Sequence, residues 1–181
     1  MDTKVVNIVA GPGSGKSTIS ALLFSHLKMK KCTAEYVQEF AKTLVWTSQF
    51  EALNDQYYVT RKQKELLEAI SGNVEYIVTD GSLLHGLFYN RFNEHNTSNI
   101  DKTEQYILEN FKKFNNIVIF LDRQDIPYEQ AGRYQGEKEA KAIDTTLKML
   151  LDKNGIKYKV FPADTEKISD FVDYVLNYKF Y

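Results

Sequence analysis

The chain is poor in residues that build covalent or metal cross-links. Cys32 is the single cysteine among 181 residues, so no internal disulfide framework can form, and without companion cysteines or a histidine cluster there is no zinc site. His26, His85 and His95 have no metal-ligand spacing and read as ordinary residues. No apolar run approaches the roughly 20 residues needed to cross a bilayer, which excludes a spanning helix and points to a soluble protein with no membrane partner. Charge of one sign is missing too: 23 Lys and Arg against 24 Asp and Glu leave a formal net charge of −1. No global electrostatic pull toward nucleic acid follows from that balance, and a small anionic substrate held by a few cations is the easier reading. Met1-Asp2-Thr3-Lys4 leads straight into an apolar stretch without a charged-then-apolar leader, so export is not expected and a cytoplasmic location is. Internal repeats and low-complexity tracts are absent.

Hydrophobic residues make up 43% of the chain and aromatic residues 13%, enough for a packed globule. The length suits one α/β domain over residues 1–181. Strands are expected at 5–9, 32–37, 75–80, 116–121 and 157–161. Helices are expected from near Lys16 and over 39–46, 54–70, 83–92, 101–114, 137–151 and 165–178. This alternation implies parallel strands joined by right-handed crossovers, hence a three-layer sandwich with a five-stranded parallel sheet and a ligand at its carboxyl edge. The polar segment at about 123–137, with Pro127, Gly132 and Gly136, reads as a lid.

The strongest local signal is Ala10-Gly11-Pro12-Gly13-Ser14-Gly15-Lys16-Ser17-Thr18, directly after the first apolar run. A strand enters a loop whose glycines let backbone N–H groups turn around an anion, and the following helix adds its positive N-terminal end. This is the relaxed form of the phosphate-binding pattern, with Ala10 where the strict form has glycine. Gly11, Pro12, Gly13, Ser14, Gly15, Lys16, Ser17 and Thr18 are therefore the expected nucleotide-binding residues, with Lys16 reaching the terminal phosphates and Ser17 ligating Mg²⁺.

Acids and bases at the strand ends extend that chemistry. Asp80 closes the third strand where such folds place a carboxylate near Mg²⁺; the competing reading is a helix N-cap shared with Ser82. Glu35, Glu39 and Lys42 surround the end of the second strand. Glu39, lying after the strand, is the better placed general base, against the alternative of a first-turn glutamate complementing the helix dipole. The lid supplies Arg123, Arg133 and Lys138, and Arg133 suits a closing arginine that stabilises charge on a transferring phosphoryl group. Lys138 reads better as a surface charge, and Arg61 stands as an outsider for a substrate anion. Tyr36, Phe40, Trp46, Phe50, Tyr57 and Tyr58 crowd the stretch between the second and third strands, where two or three rings are expected to face a base, with Gln56 and Gln63 available to its edge.

These stretches, together with Glu35 to Lys42, Ile77 to Leu84 and the Gly132-Arg133 segment leading into the helix after it, resemble the P-loop kinase branch. That branch includes the nicotinamide riboside kinase domain of the bacterial NAD regulator and phage-encoded ATPase/kinase-like proteins. The resemblance implies the strand order 2-3-1-4-5 and ATP- and Mg²⁺-dependent phosphorylation of a nucleoside-like hydroxyl. Lys16 and Ser17 would then lie on ATP–Mg²⁺, Asp80 near the metal, and the lid arginines over phosphate. The expected partner is a small nucleoside or nucleotide acceptor. A hydroxymethylated pyrimidine in phage DNA is the less favoured acceptor, and a hydrolytic ATPase is the competing class. The guanine-reading Asn-Lys-x-Asp run is missing, which argues against a GTPase switch, although GTP as donor stays open. So does a homodimer.

Overall fold

The central strands are buried at successive positions, and their side chains alternate between two apolar layers, one on each face of the sheet. The protein is described by a computed structural model covering residues 2–124 and 137–179. Five strands, β1 (Lys4–Val9), β2 (Ala34–Val37), β3 (Tyr76–Thr79), β4 (Asn115–Asp122) and β5 (Lys159–Pro162), form one sheet in the order β2-β3-β1-β4-β5. Every neighbouring pair is parallel. Fold class and strand order agree with the expectation.

The helices are α1 (Lys16–Met29), α2 (Phe40–Trp46), α3 (Phe50–Asn54), α4 (Gln56–Ile70), α5 (His85–Phe92), α6 (Ile100–Phe111), α7 (Glu137–Lys153) and α8 (Ile168–Leu176). On one face of the sheet, Val5, Val9, Ile77, Val118 and Phe120 pack with Leu67, Leu87, Ile107, Ile143 and Leu147 of α4 to α7. On the other, Val6, Ile8, Val78, Ile117 and Ile119 pack with Ile19, Leu23 and Leu27 of α1 and with Phe171, Val172 and Val175 of α8. A strand buried on both faces must be apolar at successive positions, and Ile117 to Leu121 meets that requirement.

Asn7 interrupts the apolar run of β1 and is satisfied where it lies. Its amide donates to Asn116 Oδ1 at 2.9 Å and its carbonyl oxygen accepts from the Ser82 hydroxyl at 2.8 Å. A buried polar group without partners would cost stability; here it ties β1 to the chain after β3.

Three local expectations are corrected. The helix expected over 54–70 is α4, which begins at Gln56 because Asp55 caps it by accepting the Tyr58 N–H at 3.0 Å; the short α3, which was not expected, precedes it. The closing helix is preceded by a 3₁₀ turn at Thr165–Lys167, capped by Asp164 accepting the Glu166 N–H. The fifth strand begins at Lys159 because its partners on β4 run only from Ile119 to Asp122. The expected lid falls largely outside the described residues, and Arg133, Pro127, Gly132 and Gly136 all lie there.

Candidate active site

The carboxyl ends of β1, β2 and β3 converge on one cleft. From β1 the chain enters the phosphate loop, where Gly13 (φ 67°) and Gly15 (φ 94°) take left-handed conformations that side chains with a Cβ resist. Gly15 is the N-cap of α1 and offers no side-chain cap, so the first-turn N–H groups are left for another acceptor. Ala10, Pro12, Gly13, Gly15, Lys16, Ser17 and Thr18 line the cleft. Gly11 and Ser14 are buried within the loop.

Lys16 Nζ donates to the Gly11 carbonyl at 3.0 Å. Burial lowers the pKa of its ammonium group, while the charges of Glu39, Asp80 and Asp144 act the other way. Ser17 donates its hydroxyl to Asp80 Oδ2 at 2.5 Å, and the other oxygen of Asp80 accepts the Glu39 N–H at 3.0 Å. Asp80 is 2% exposed and stands behind Ser17 and Glu39. The structure thus brings Lys16, Ser17, Asp80 and Glu39 together.

Glu39 is the N-cap residue of α2 but makes no cap hydrogen bond with its side chain. It lines the cleft. Burial raises its carboxyl pKa, the Lys16 charge opposes that, and Asp80 adds to it. Glu35, by contrast, is exposed on β2. Gly81 makes the approach possible: a Cβ there would lie 2.6 Å from Glu39 Cα and 2.7 Å from Gln63 Oε1.

Asp144 was not named by the sequence reading, and Tyr36, Arg123 and His85 make contacts that it did not assign them. The Tyr36 phenol lies beside Asp80 and Ser17, and burial together with the Asp80 charge pushes its pKa up. Arg123 and Asp144 form an ion pair at 2.8 Å beside the loop. His85, 6% exposed, lines the cleft and has no well-formed hydrogen bond at either ring nitrogen. Its pKa is pushed down to about 3, by burial first and the Lys16 charge second, against the backbone of Ala10 and Ser82. It is a neutral imidazole at pH 7. No spacing in the sequence marks these contacts, since each joins separate elements.

The cleft holds about 900 Å³ and runs from the phosphate loop to a wall built from α2 to α5. Of the aromatic residues expected there, Phe50 lines it, and Phe88, Tyr89 and Phe92 of α5 supply the other rings. Trp46 is 63% exposed, Tyr57 packs on Tyr106 and Phe40 on Tyr58. Gln63 is engaged with backbone, accepting the Phe40 N–H at 2.7 Å and donating to the Gln38 carbonyl. Gln56 donates to the Leu53 carbonyl. Arg61 pairs with Glu65 on the surface of α4, and Lys138 is exposed.

The profile of the AAA domain family matches residues 5–167. The chain belongs to that family. No curated protein sequence matches this AAA domain, but solved structures share its fold. The NadR protein in complex with NAD and AMP-PNP superposes with a TM-score of 0.69 at 14% identity, covering 98% of this chain and 49% of that one; the chain spans about half the length of NadR. Deoxyadenosine kinase from M. mycoides, solved with the products dCMP and a flexible dCDP, gives 0.59 at 20% identity, covering 96% and 97%. The YorR protein from Bacillus subtilis, in complex with phosphorylated GDP, gives 0.53 at 13% identity, covering 95% and 93%. At these identities the likeness is one of fold, that of the P-loop kinases.

The hydroxyl of Ser17 and the carboxylate of Asp80 are hard oxygen donors of the kind Mg²⁺ takes. Among the described residues no group of three or more His, Cys, Asp or Glu side chains is placed to hold a metal. The donor set in this AAA domain therefore fits an ion that arrives with oxygen ligands of its own, as a nucleotide-bound Mg²⁺ does. No helix among the described residues is long and apolar enough to cross a membrane.

Proposed function

We propose that the protein is an ATP- and Mg²⁺-dependent phosphotransferase that phosphorylates a hydroxyl of a nucleoside, a nucleotide or a related small molecule. The observation that carries this reading is Glu39, a cleft-lining carboxylate whose backbone is bonded to Asp80. It stands where the phosphate loop gives way to a roomy wall of aromatic and amide side chains. A hydrolase needs space for a water molecule; a cleft of about 900 Å³ has room for a second organic substrate.

The loop N–H groups and Lys16 hold the triphosphate, and Ser17 with Asp80 holds the metal, which supplies charge neutralisation at the phosphates. Glu39 accepts the proton of the acceptor hydroxyl as its oxygen bonds to the γ-phosphorus and the bond to the ADP oxygen breaks. Because burial favours its neutral form, Glu39 is a stronger base once ionised than a solvated carboxylate. Arg133 belongs to this proposal as a closing arginine on sequence grounds.

The test is transfer of labelled γ-phosphate from Mg²⁺-ATP to a panel of nucleosides, nucleoside monophosphates and hydroxymethylated DNA. Acceptor-dependent labelled product is expected with a small nucleoside-like acceptor and should be abolished in Lys16→Ala. ATP consumed at the same rate without acceptor, with no labelled product, would overturn the kinase reading in favour of hydrolysis. Label appearing only in DNA would replace the small-molecule acceptor with a polymer.

A further inference from the structure

The first half of the phosphate loop is held from outside by two side chains that come from opposite ends of the segment 125–136. Asp144, two turns into α7, accepts the Gly11 N–H through Oδ1 at 2.5 Å. Its other oxygen accepts Arg123 Nε at 2.8 Å. Arg123, just past β4, spans to the loop with Nη2 donating to the Pro12 carbonyl at 2.9 Å. The two side chains are only 11% and 16% exposed. The contact is tight: a Cβ at Gly11 would lie 2.7 Å from the Ala140 carbonyl oxygen and 2.8 Å from Asp144 Oδ1.

Lys16 completes the arrangement, because its ammonium rests on the Gly11 carbonyl at 3.0 Å. Gly11 is thus gripped on its N–H by Asp144 and on its C=O by Lys16, and the Pro12 carbonyl is gripped by Arg123. A buried ion pair adds little to stability by itself, since desolvation offsets most of the Coulombic gain. This pair also bonds the loop backbone, at the Gly11 N–H and the Pro12 carbonyl. Ordering a loop before its ligand arrives removes an entropic cost from binding.

We propose that Asp144 and Arg123 are positioning residues that preset the Gly11-Pro12 backbone of the phosphate loop for nucleotide. This rests on reading the loop as an ATP site, but not on the identity of the acceptor or on transfer itself. The pair has no net charge, so it shapes the loop without repelling a triphosphate. Removing the Asp144 charge separates two effects of opposite sign. Electrostatics alone would make ATP bind more tightly once a carboxylate beside the anion is gone. Loss of positioning makes it bind more weakly.

The experiment is calorimetric binding of Mg²⁺ with a non-hydrolysable ATP analogue to the wild type, Asp144→Asn, Asp144→Ala, Arg123→Ala and the Arg123→Ala/Asp144→Ala double variant. Folding of each is checked by circular dichroism. Asp144→Ala should weaken binding about tenfold, equivalent to about 1.4 kcal/mol. Asp144→Asn, which keeps an acceptor for the Gly11 N–H, should weaken it less. The double variant should bind about as weakly as Asp144→Ala, because the two residues act as one unit. Unchanged or tighter binding in folded Asp144→Ala and Asp144→Asn, or strictly additive losses, would overturn the proposal. Should Asp144→Ala fail to fold, Arg123→Lys decides, since it keeps the charge and loses the fork: weaker analogue binding supports the proposal and wild-type affinity refutes it. A protein that binds the analogue as expected but transfers no phosphate would leave this inference standing while the kinase reading fell.

Discussion

Glu39 and His85 both sit within the field of Lys16, and burial pushes both toward their neutral forms. For Glu39 the carboxyl pKa lies above its ordinary 4.5, so the ionised base is lost as pH falls through that raised value. The acid limb of the pH–rate profile should stand above the range of a solvated glutamate. Glu39→Gln should lower kcat by about 100-fold, the lower end of what a general base contributes, and leave ATP affinity within a few-fold; steady-state kinetics beside nucleotide titration checks this. His85 makes a stability prediction. Its folded pKa of about 3 lies below the ordinary value of 6.5, so as pH falls below about 6.5 the unfolded chain takes up a proton that the folded chain refuses. Stability should fall by up to about 1.4 kcal/mol per pH unit in that window. Urea unfolding at pH 7, 6 and 5 should show this slope in the wild type and lose that contribution in His85→Leu.

Among the elements, the junctions after β2 and β3 matter most. Asp80 closes β3 and bonds the backbone at the start of α2, while Gln63 of α4 clamps the Gln38 carbonyl and the Phe40 N–H on either side of Glu39. Gly81 lets these two junctions touch. Gly81→Ala would place a methyl group 2.6 Å from Glu39 Cα, and the backbone must move. Such overpacking should cost about 1–3 kcal/mol in urea unfolding. Displacing Glu39 by about 1 Å should lower kcat by at least tenfold, with ATP affinity less affected. Several elements were legible beforehand: β4 from its unbroken apolar run, and α1 from the glycine loop before it. Others were not. The short α3 has no buried residue to give it a periodic signature, and Gln56 and Gln63 looked like base readers because sequence does not tell which partner a buried amide has found.

For the molecule as a whole, the sheet order puts β1 between β3 and β4, so one edge of the sheet presents the loop, the acid and the base together. A ligand that binds only the folded state stabilises it by mass action. At about 100 times its Kd, ATP with Mg²⁺ should contribute about 2.7 kcal/mol, raising Tm by about 5–10 °C for a chain of this size. Scanning calorimetry should find that shift in the wild type and little of it in Lys16→Ala. By itself the sequence determined the phosphate loop and the alternation that makes a parallel sheet, because both are local: a glycine spacing that permits φ > 0, and apolar runs whose length and period decide strand or helix. The tertiary structure alone decided that Tyr36 lies beside Asp80 and Ser17, that Asp144 and Arg123 grip the loop, and that α5 supplies most of the cleft's aromatic wall. Those contacts join residues up to 133 positions apart, and only the packing of helices on the sheet brings such groups within a hydrogen bond.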